Sequence, residues 1–509
     1  MSRAGPPSPR APAAPPGRSP EIGGSLMRLA LAIVIGYGAL ATGLAYWQVV
    51  EAERLSTDPR NPLVIAAARN APRGAIYDAN GVVLARNVRG AGGQSQRSYP
   101  APEAAPIVGY RSVVFGTAGL ERTYDAQLTG LRSMAPGDEL LRKFRADPYD
   151  PADLYLSLDV RLQQAALQAL EERRGAVVAI EPSTGRVLAM VTSPTFDPNR
   201  IVDPERGSRY VARLRQREDS PLLNRATQGR YVPGSVFKIV TAAAGLGSGA
   251  IGRDTRYESQ PDEYETGFLI EGFRIRDAPR SVQTEHPLDF LEATEVSSNI
   301  WYAHAGLDIG AQGLLDWAAR FGFGERIPFD LPTSASQVTG GGGPLAGFRD
   351  RVELANAAYG QGQILVTPLQ MACVAATIAN DGLAMRPKLV DEVRSASGQV
   401  TRVEPEPWRQ VLGGAEARLV GEAMRLAVEG PYGRRFAGGA RIDGVPVAGK
   451  TGTAQLGAGE EPHSWFIGFA PADQPRIAIA VIVENGGSGG ELAAPVAGRL
   501  MERYLRLQP

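Results

Sequence analysis

An uncharged apolar run near the N-terminus constrains this chain more than any other feature of its sequence. Residues 29–50 contain no charged side chain. As a helix rising about 1.5 Å per residue, the run spans about 33 Å, enough for a bilayer core of about 30 Å. Residues 1–28 carry four arginines and one glutamate, and residues 1–20 are proline-rich. The sequence therefore predicts a disordered cytoplasmic tail over 1–28, a transmembrane helix over 29–50 and an extracytoplasmic remainder.

Two other interpretations of this run compete with a membrane anchor. A cleaved signal peptide has an apolar run of about 7–15 residues, and Ala39-Leu40-Ala41 could imitate its cleavage site. The apolar run, however, continues for nine residues beyond Ala41. A buried core helix would not normally follow a tail rich in arginine and proline. A single-pass anchor in the cell membrane, with the N-terminus inside, is therefore the favoured prediction.

Composition excludes several classes of protein. The 509 residues include 54 basic and 54 acidic side chains, for a formal net charge of zero. A uniformly basic nucleic-acid-binding surface is therefore not expected. The single cysteine, Cys373, excludes an internal disulfide and a Cys-rich metal site. The histidines, His286, His304 and His463, are too few and too scattered to suggest zinc.

Lysine is rare in this chain. Only Lys143, Lys238, Lys388 and Lys450 are lysines, and the other basic residues are all arginine. A buried lysine can release its proton, whereas an arginine in a protein cannot. The few positions that keep lysine are therefore candidates for proton transfer.

The part of the chain after the apolar run divides into two predicted domains. Residues 51–150 are typical of a small β-rich module, in which residues 73–85 predict two strands around an Asn80-Gly81 turn. No catalytic pair is evident in this module, which we interpret as a non-catalytic pedestal. Residues 151–509 have strand-like runs at both ends and mostly helical sequence between them. This order predicts an α+β domain with one mainly antiparallel sheet. The predicted elements are a helix over 159–173 capped by Ser157 or Asp159, strands over 175–180, 186–192, 464–469 and 476–484, and a helix over 491–507.

The first of three short motifs with chemically suitable side chains is Ser235-Val236-Phe237-Lys238. It follows a Pro-Gly turn and opens an apolar helical run over 236–246. Ser235 and Lys238 are three residues apart, so they share one face of a helix. The dipole at a helix N-terminus favours a developing negative charge on the serine, and a lysine in apolar surroundings can act as a base. The alternative is a capping serine with a lysine that reaches the surface.

The second motif, Ser297-Ser298-Asn299, also precedes an apolar helical run. Ser297 could relay a proton between nucleophile and leaving group. Asn299 carries an amide that can hold a peptide carbonyl while it also contacts a lysine. Taken alone, this motif is more typical of a helix cap.

The third motif is Lys450-Thr451-Gly452-Thr453, which follows the strand-like residues 445–448. Lys450 adds positive charge for an anionic substrate, and Thr451 and Thr453 offer hydroxyls for a carboxylate. Gly452 would let a substrate backbone approach the edge of the strand. The alternative is a turn at a strand end with an exposed lysine.

Together, the motifs follow the order SxxK, SxN, KTG of serine acyl-enzymes that recognise penicillin. With them, the chain resembles a class B penicillin-binding protein, a monofunctional D,D-transpeptidase of peptidoglycan synthesis. The resemblance covers nearly all of residues 27–509, and its short pedestal is similar to the compact type of actinobacteria. It implies the penicillin-binding transpeptidase fold, with a five-stranded sheet flanked by helices, a helical subdomain and a dimerisation-like pedestal. Beyond the motifs, the segments that carry it are 231–234, 193–199, 360–362, 367–372, 73–78 and 119–125.

This resemblance implies a role in the reaction for four residues. Ser235 would attack the penultimate D-alanine carbonyl of a stem peptide ending in D-Ala-D-Ala, and Lys238 would take its proton. Ser297 and Lys450 would relay a proton to the departing D-alanine. The acyl-enzyme would then pass to an amine on a neighbouring stem, which forms the cross-link. β-Lactams would inhibit the enzyme by acylating Ser235 in place of the donor.

The resemblance also implies binding roles and partners. Asn299 would hold the peptide backbone, Lys450, Thr451 and Thr453 the terminal carboxylate, and Gly452 would lie on the same binding strand. No metal, organic cofactor or nucleic acid is implied. The implied partner is a membrane glycan polymerase of the shape, elongation, division or sporulation type.

Alternatives to a transpeptidase remain at this point. A serine β-lactamase or β-lactam sensor shares SxxK and KTG, although no water-activating base is evident for efficient deacylation. A bifunctional glycosyltransferase is disfavoured because residues 51–150 are too few for a second catalytic domain. A catalytically silent cell-wall scaffold is the non-enzymatic alternative. A role in cell division and a role in cell elongation are both compatible with these motifs.

Overall fold

The computed structural model describes residues 22–51, 73–89, 95–130, 150–278, 286–341, 347–457 and 459–507. The chain separates into two compact units, residues 1–70 and residues 71–509. In the first unit, an α-helix over Ile22–Ala45 continues into a π-helical turn over Tyr46–Val50. The segment Gly24–Val50 is long and apolar enough to cross a membrane, and none of its most apolar stretch is buried. This exposure contradicts the interpretation as a core helix and fits the predicted membrane anchor. Residues 1–21 of the predicted tail lie outside the described residues.

The second unit contains all the strands of the described residues. In chain order they are β1 (Ile76–Tyr77), β2 (Val83–Arg89), β3 (Ser95–Ser98), β4 (Tyr110–Ser112), β5 (Gly116–Ala118), β6 (Ala152–Leu156), β7 (Gly175–Ile180), β8 (Val187–Ser193), β9 (Phe268–Ile270), β10 (Phe273–Ile275), β11 (Leu383–Met385), β12 (Val390–Ser395), β13 (Val400–Arg402), β14 (Pro407–Gln410), β15 (Ala448–Ala454), β16 (His463–Ala470) and β17 (Ile477–Val483).

The α-helices of this unit lie mainly between β8 and β15 in the chain. In chain order they are Ala105–Val108, Leu120–Thr123, Asp125–Thr129, Val160–Ala169, Pro198–Val202, Gly207–Gln216, Lys238–Ser248, Gln260–Thr266, Phe290–Glu295, Asn299–Arg320, Arg351–Ala358, Pro368–Ala379, Gly414–Glu429, Arg434–Ala437 and Ala493–Leu507, and 3-10 turns cover Pro102–Ala104, Gly234–Phe237 and Gly438–Ala440.

Residues 151–509 contain a five-stranded sheet in the order β15-β16-β17-β7-β8, and every neighbouring pair is antiparallel. Both faces of this sheet are covered. In β7, Val178 packs in one buried cluster and its neighbours Val177 and Ala179 pack in another. This burial on both faces explains why β7 is a continuous apolar run rather than an alternating one. The expected five-stranded, mainly antiparallel sheet flanked by helices is confirmed, and β15, which carries the third motif, is an edge strand.

A six-stranded sheet pairs strands of residues 51–150 with strands of residues 151–509, in the order β13-β12-β6-β1-β2-β3. The β1–β6 pair is parallel, and the other pairs are antiparallel. The predicted hairpin over residues 73–85 is present as β1 and β2. The Asp78 carboxylate accepts hydrogen bonds from the backbone N–H groups of Asn80 and Val82, both at 2.8 Å, which closes the turn.

The predicted elements agree with the structure except near their ends. Asp159, not Ser157, caps the helix Val160–Ala169, because its carboxylate accepts from Arg161 N. Ser157 Oγ instead donates to the Val187 carbonyl. The largest difference is at the third motif: the strand does not precede Lys450 but begins at Ala448 and includes the whole motif. Propensity alone cannot place this strand, since its pairing with β16 decides its limits.

Candidate active site

Ser235 lies on a tightly fixed turn. The 3-10 turn Gly234–Phe237 leads directly into the helix Lys238–Ser248, so the helix begins later than predicted. Gly234 has a φ of +58°, which favours glycine, and its N–H donates to the Gly360 carbonyl at 2.9 Å. Gly360 also has a positive φ, and a Cβ there would lie 1.8 Å from the Gly234 oxygen. These close backbone contacts fix the Ser235 hydroxyl against the rest of the domain.

Lys238 is buried beneath Ser235. Its side chain is 0% exposed, which contradicts the alternative of a lysine that reaches the surface. Lys238 Nζ lies 3.1 Å from Ser235 Oγ, 2.7 Å from the Ser297 carbonyl oxygen, 3.2 Å from Ser297 Oγ and 2.8 Å from Asn299 Oδ1. The four oxygens come from two of the three motifs, so the fold brings these motifs together around one amine.

The acceptors around Lys238 determine which hydrogen bonds its neutral amine would form. A neutral lysine has two N–H groups and one lone pair. The Ser297 carbonyl oxygen and Asn299 Oδ1 can only accept, and they are the two shortest contacts. They therefore take the two N–H groups and leave the lone pair for a hydroxyl. The Ser235 hydroxyl at 3.1 Å is placed to donate to this lone pair.

The orientation of the Asn299 amide is fixed from both ends. Its Oδ1 accepts from Lys238, and its Nδ2 donates to the Arg276 carbonyl at 2.9 Å. Because a carbonyl cannot donate, the reversed amide would place Oδ1 against the Arg276 carbonyl oxygen and lose that contact. The predicted contact between Asn299 and the lysine is therefore present, and the amide nitrogen faces the backbone of the loop after β10.

Ser297 connects the two buried lysines. It occupies the left-handed region with a φ of +59°, an uncommon conformation for a serine. Its hydroxyl lies 2.8 Å from Lys450 Nζ and 3.2 Å from Lys238 Nζ. The next residue, Ser298, caps the helix Asn299–Arg320 through Trp301 N, so the helix-cap interpretation of this motif is also correct. The strained turn places Ser298 at the start of the helix and Ser297 between the two lysines.

Lys450 is as deeply buried as Lys238. Its side chain is 1% exposed and lies within β15, which contradicts the alternative of an exposed lysine at a strand end. Besides the Ser297 hydroxyl, Lys450 Nζ donates to the Thr451 carbonyl at 3.2 Å. Burial lowers the pKa of Lys450 to about 7. Near neutral pH this amine is therefore present in both protonation states, as a proton relay requires.

Thr451 and Thr453 are two residues apart in β15 and face the same cavity. Gly452, between them, faces the other way. A Cβ at Gly452 would lie 2.7 Å from the Pro233 carbonyl oxygen and 3.1 Å from the Trp465 Cβ. The structure thus gives a different reason for this glycine from the predicted approach of a substrate: a side chain would push β15 away from the turn that carries Ser235.

A cavity of about 880 Å³ opens above these residues. Of the predicted site residues, Ser235, Ser297, Asn299, Thr451 and Thr453 line it, whereas Lys238, Lys450 and Gly452 lie behind its surface. The hydroxyls and the amide are therefore accessible to a ligand, and the two amines act on them from below. Within the described part of the chain, no group of three or more His, Cys, Asp or Glu side chains is arranged to hold a metal.

Asp277, which follows β10 in the chain, is a site residue that the sequence motifs did not predict. Its carboxylate accepts from Ser298 Oγ at 2.8 Å, from Ile300 N at 3.0 Å and from Asn299 N. A carboxylate here also complements the positive end of the helix dipole. Asp277 therefore holds the second motif in place from a loop 20 residues upstream. No sequence signal identifies such a long-range cap.

One cavity brings together a serine on a turn that opens a helix, a buried lysine beneath this serine, and an edge strand that carries two threonines. This combination defines a serine acyl-transfer enzyme of the penicillin-recognising type. Residues 175–502 match the family described as penicillin binding protein transpeptidase domain, and residues 73–148 match the penicillin binding protein A dimerisation domain. The chain therefore belongs to the penicillin-binding transpeptidase family, as the resemblance of its motifs indicated.

Characterised relatives and solved structures agree with this assignment. The chain is 36% identical to the peptidoglycan D,D-transpeptidase PbpA of Mycolicibacterium smegmatis over 95% of this chain and 99% of that protein. It is 29% identical to the peptidoglycan D,D-transpeptidase MrdA of Escherichia coli over 77% of this chain and 64% of that protein. Among solved structures, it is similar to the imipenem acyl-enzyme complex of penicillin-binding protein A from M. tuberculosis. That likeness has a TM-score of 0.75, 33% identity, and coverage of 86% of this chain and 99% of that one.

Proposed function

We propose that this chain cross-links peptidoglycan stem peptides as a D,D-transpeptidase, through an acyl-enzyme on Ser235. The observation that carries the proposal is the contact between the Ser235 hydroxyl and the buried Lys238 amine, at the floor of the cavity. Ser235 Oγ attacks the carbonyl carbon of the penultimate D-alanine, and Lys238 Nζ takes the hydroxyl proton. Backbone N–H groups of Ser235 and Thr453 hold the oxyanion. The peptide bond to the terminal D-alanine then breaks.

A proton then passes from the lysine amines to the leaving group through the Ser297 hydroxyl. The hydroxyl of Ser297 lies within hydrogen-bond distance of both lysine amines, so it can accept a proton on one side and donate one on the other. The departing D-alanine nitrogen receives this proton and leaves as an amine. An amine of a neighbouring stem then attacks the acyl-enzyme carbonyl, forms the new peptide bond and regenerates the Ser235 hydroxyl. β-Lactams acylate the same oxygen.

Binding uses the edge strand β15 and the second motif. Thr451 and Thr453 hold the terminal carboxylate of the donor through their hydroxyls, supported by the positive charge of Lys450 when it is protonated. β15 is an edge strand of the five-stranded sheet, so an extended peptide can pair with its backbone, including that of Gly452. Asn299 holds the donor backbone on the opposite side of Ser235.

A β-lactamase is the less well supported function. Efficient deacylation requires a base that activates water, and Asp277 is the only carboxylate lining the cavity among the described residues. That carboxylate accepts three hydrogen bonds at the start of the helix Asn299–Arg320. It is therefore committed to a cap, and the acyl-enzyme with a β-lactam should be long-lived.

The test is a cross-linking assay with the full chain in detergent, a donor peptide ending in D-Ala-D-Ala and an amine acceptor. We expect release of D-alanine together with a cross-linked product, both measured by liquid chromatography and mass spectrometry. A chromogenic β-lactam should give a burst of one equivalent followed by slow turnover. Rapid continuous hydrolysis of this β-lactam without any cross-linked product would identify a β-lactamase instead.

The same proposal places the catalytic part outside the cytoplasm. Its organisation is a cytoplasmic tail over 1–28, a transmembrane helix over 29–50, a pedestal over 51–150 and a transpeptidase domain over 151–509. The arginines before Leu29 orient the helix with its N-terminus inside. The partner is a membrane glycan polymerase, which would supply strands next to this anchor.

We expect a topology reporter fused after Pro509 to be active only on the extracytoplasmic side. The reason is that a single uncharged span follows a basic N-terminal flank. An alkaline phosphatase fusion and a fluorescent protein that matures only in the cytoplasm give opposite readouts from the same position. Cytoplasmic activity at this position, or a mature protein that lacks residues 1–41, would contradict the anchor.

A further inference from the structure

Arg276 is a cation in the wall of the active-site cavity that pairs with no carboxylate of the described residues. It follows β10, its side chain is exposed, and it lines the same cavity as Ser235. No carboxylate among the described residues forms an ion pair or hydrogen bond with its guanidinium. The other arginine of this wall, Arg274, donates to the Thr266 carbonyl instead. An arginine that lines a ligand cavity and has no carboxylate partner among the described residues has its planar set of donors available for an anion.

The charges that line the cavity favour an anion at Arg276. Within the described residues, the lining contains two arginines and a single carboxylate, that of Asp277. This carboxylate lies beside Arg276 in the chain but accepts from the backbone of Asn299 and Ile300 and from the Ser298 hydroxyl. Its charge is therefore satisfied at the helix start, and the wall keeps a net positive charge.

The backbone of Arg276 is fixed to the catalytic motif. Its carbonyl accepts from Asn299 Nδ2 at 2.9 Å, and the preceding Ile275 is only 2% exposed. The base of the Arg276 side chain is therefore held at a constant distance from Asn299. Preorganisation of this kind lowers the entropic cost of binding a ligand.

The position of Arg276 along the donor follows from the order of the groups in the cavity. In the proposed function, which this inference rests on, the terminal carboxylate of the donor lies at Thr451 and Thr453. The reacting carbonyl lies at Ser235, and the peptide backbone continues past Asn299. Arg276 is next to Asn299, so it meets the part of the stem peptide that precedes the reacting D-alanine. The acyl side chain of a penicillin corresponds to this same part of the donor peptide.

We propose that Arg276 is a specificity-determining residue that binds a second carboxylate of the donor, on the segment preceding the reacting D-alanine. A charge-assisted, bidentate contact between guanidinium and carboxylate fits this role, and neither an amide nor a hydrogen in place of the carboxylate can form it. The site would therefore prefer stem peptides with a free side-chain carboxylate over peptides in which the same group is amidated.

The test compares benzylpenicillin with its α-carboxy derivative, which adds one carboxylate to the acyl side chain. The second-order rate constant for acylation of the full chain is measured for each compound, and the ratio of the two constants is the readout. We expect Arg276→Gln to lower the ratio of the α-carboxy compound to benzylpenicillin about tenfold relative to the wild type. Arg276→Lys should give an intermediate ratio, because it keeps the charge without the bidentate geometry. High salt should reduce the wild-type ratio and leave that of Arg276→Gln unchanged.

Arg274→Gln is the matched control, since it removes a guanidinium from the same wall. It should keep the wild-type ratio. The proposal is wrong if the ratio is unchanged in Arg276→Gln, or if Arg274→Gln lowers it instead. It is also wrong if both compounds slow equally in Arg276→Gln, which would indicate a structural role. Donor peptides with one side-chain carboxylate free or amidated should repeat the result. If the wild type is not acylated at Ser235 at all, the proposed function itself fails, and this outcome is distinct from an unchanged ratio.

Discussion

Ser235→Ala should abolish covalent labelling by penicillin and leave the domain folded. The substitution removes the hydroxyl that lies 3.1 Å from Lys238 Nζ at the wall of the cavity. Lys238 keeps its contacts with Ser297 and Asn299, so the loss of one hydrogen bond should cost about 0.5–1.5 kcal/mol of stability. Labelling with a fluorescent penicillin and intact-protein mass spectrometry measure the adduct, and thermal unfolding measures the fold.

Ser298→Ala provides a contrast within the second motif. Ser298 is 0% exposed and caps a helix, so this variant should lose stability by about 1 kcal/mol yet still form the adduct. Surviving adduct in Ser235→Ala, or an adduct mapped to another residue in the wild type, would contradict the assignment of the nucleophile.

Lys238→Arg should slow acylation by about 10²–10⁴-fold, the usual contribution of a positioned general base. The variant keeps a positive charge but removes the base, because a guanidinium does not release its proton in a protein. A lysine that acted only through its charge would tolerate the change far better. The second-order rate constant for acylation by benzylpenicillin, measured with the full chain, decides between these two roles.

Lys450→Arg would be a control for this experiment if Lys450 only bound a carboxylate, since that role needs only a cation. The structure removes this option, because Lys450 is also buried, and burial lowers its pKa to about 7. Lys388→Arg is a better control. Lys388 is 9% exposed and pairs with Asp391 at 3.1 Å, away from the cavity. The Lys388→Arg variant should be acylated at the wild-type rate. If Lys238→Arg were also acylated at nearly the wild-type rate, Lys238 would be excluded as the base.

Local sequence predicted most elements of the sheet because their patterns are strong. β7 and β17 are short apolar runs bounded by turn residues, and both are found within one residue of the predicted limits. The predicted strand before Lys450 was displaced, because residues 448–454 are polar and glycine-rich and have no strand pattern of their own. They form a strand because β16 supplies their hydrogen-bond partners.

The distribution of lysine was informative for a similar reason. In a chain that uses arginine almost throughout, Lys238 and Lys450 were conspicuous before any geometry was known. Both prove to be nearly inaccessible to solvent. The sequence did not reveal that a single hydroxyl, that of Ser297, lies between their two amines. This contact joins residues 153 positions apart in the chain, and no local pattern encodes it.

By itself, the sequence determined the membrane-spanning run, the α+β class, the three motifs and the family they resemble, because each is a local pattern of charge, periodicity or residue type. Only the tertiary structure decided which amine faces which hydroxyl, that Gly452 packs against the turn that carries Ser235, and that Asp277 and Arg276 approach Asn299 from a separate loop. Such contacts depend on how distant segments pack and desolvate one another, and the free energy of that packing is not contained in any one segment.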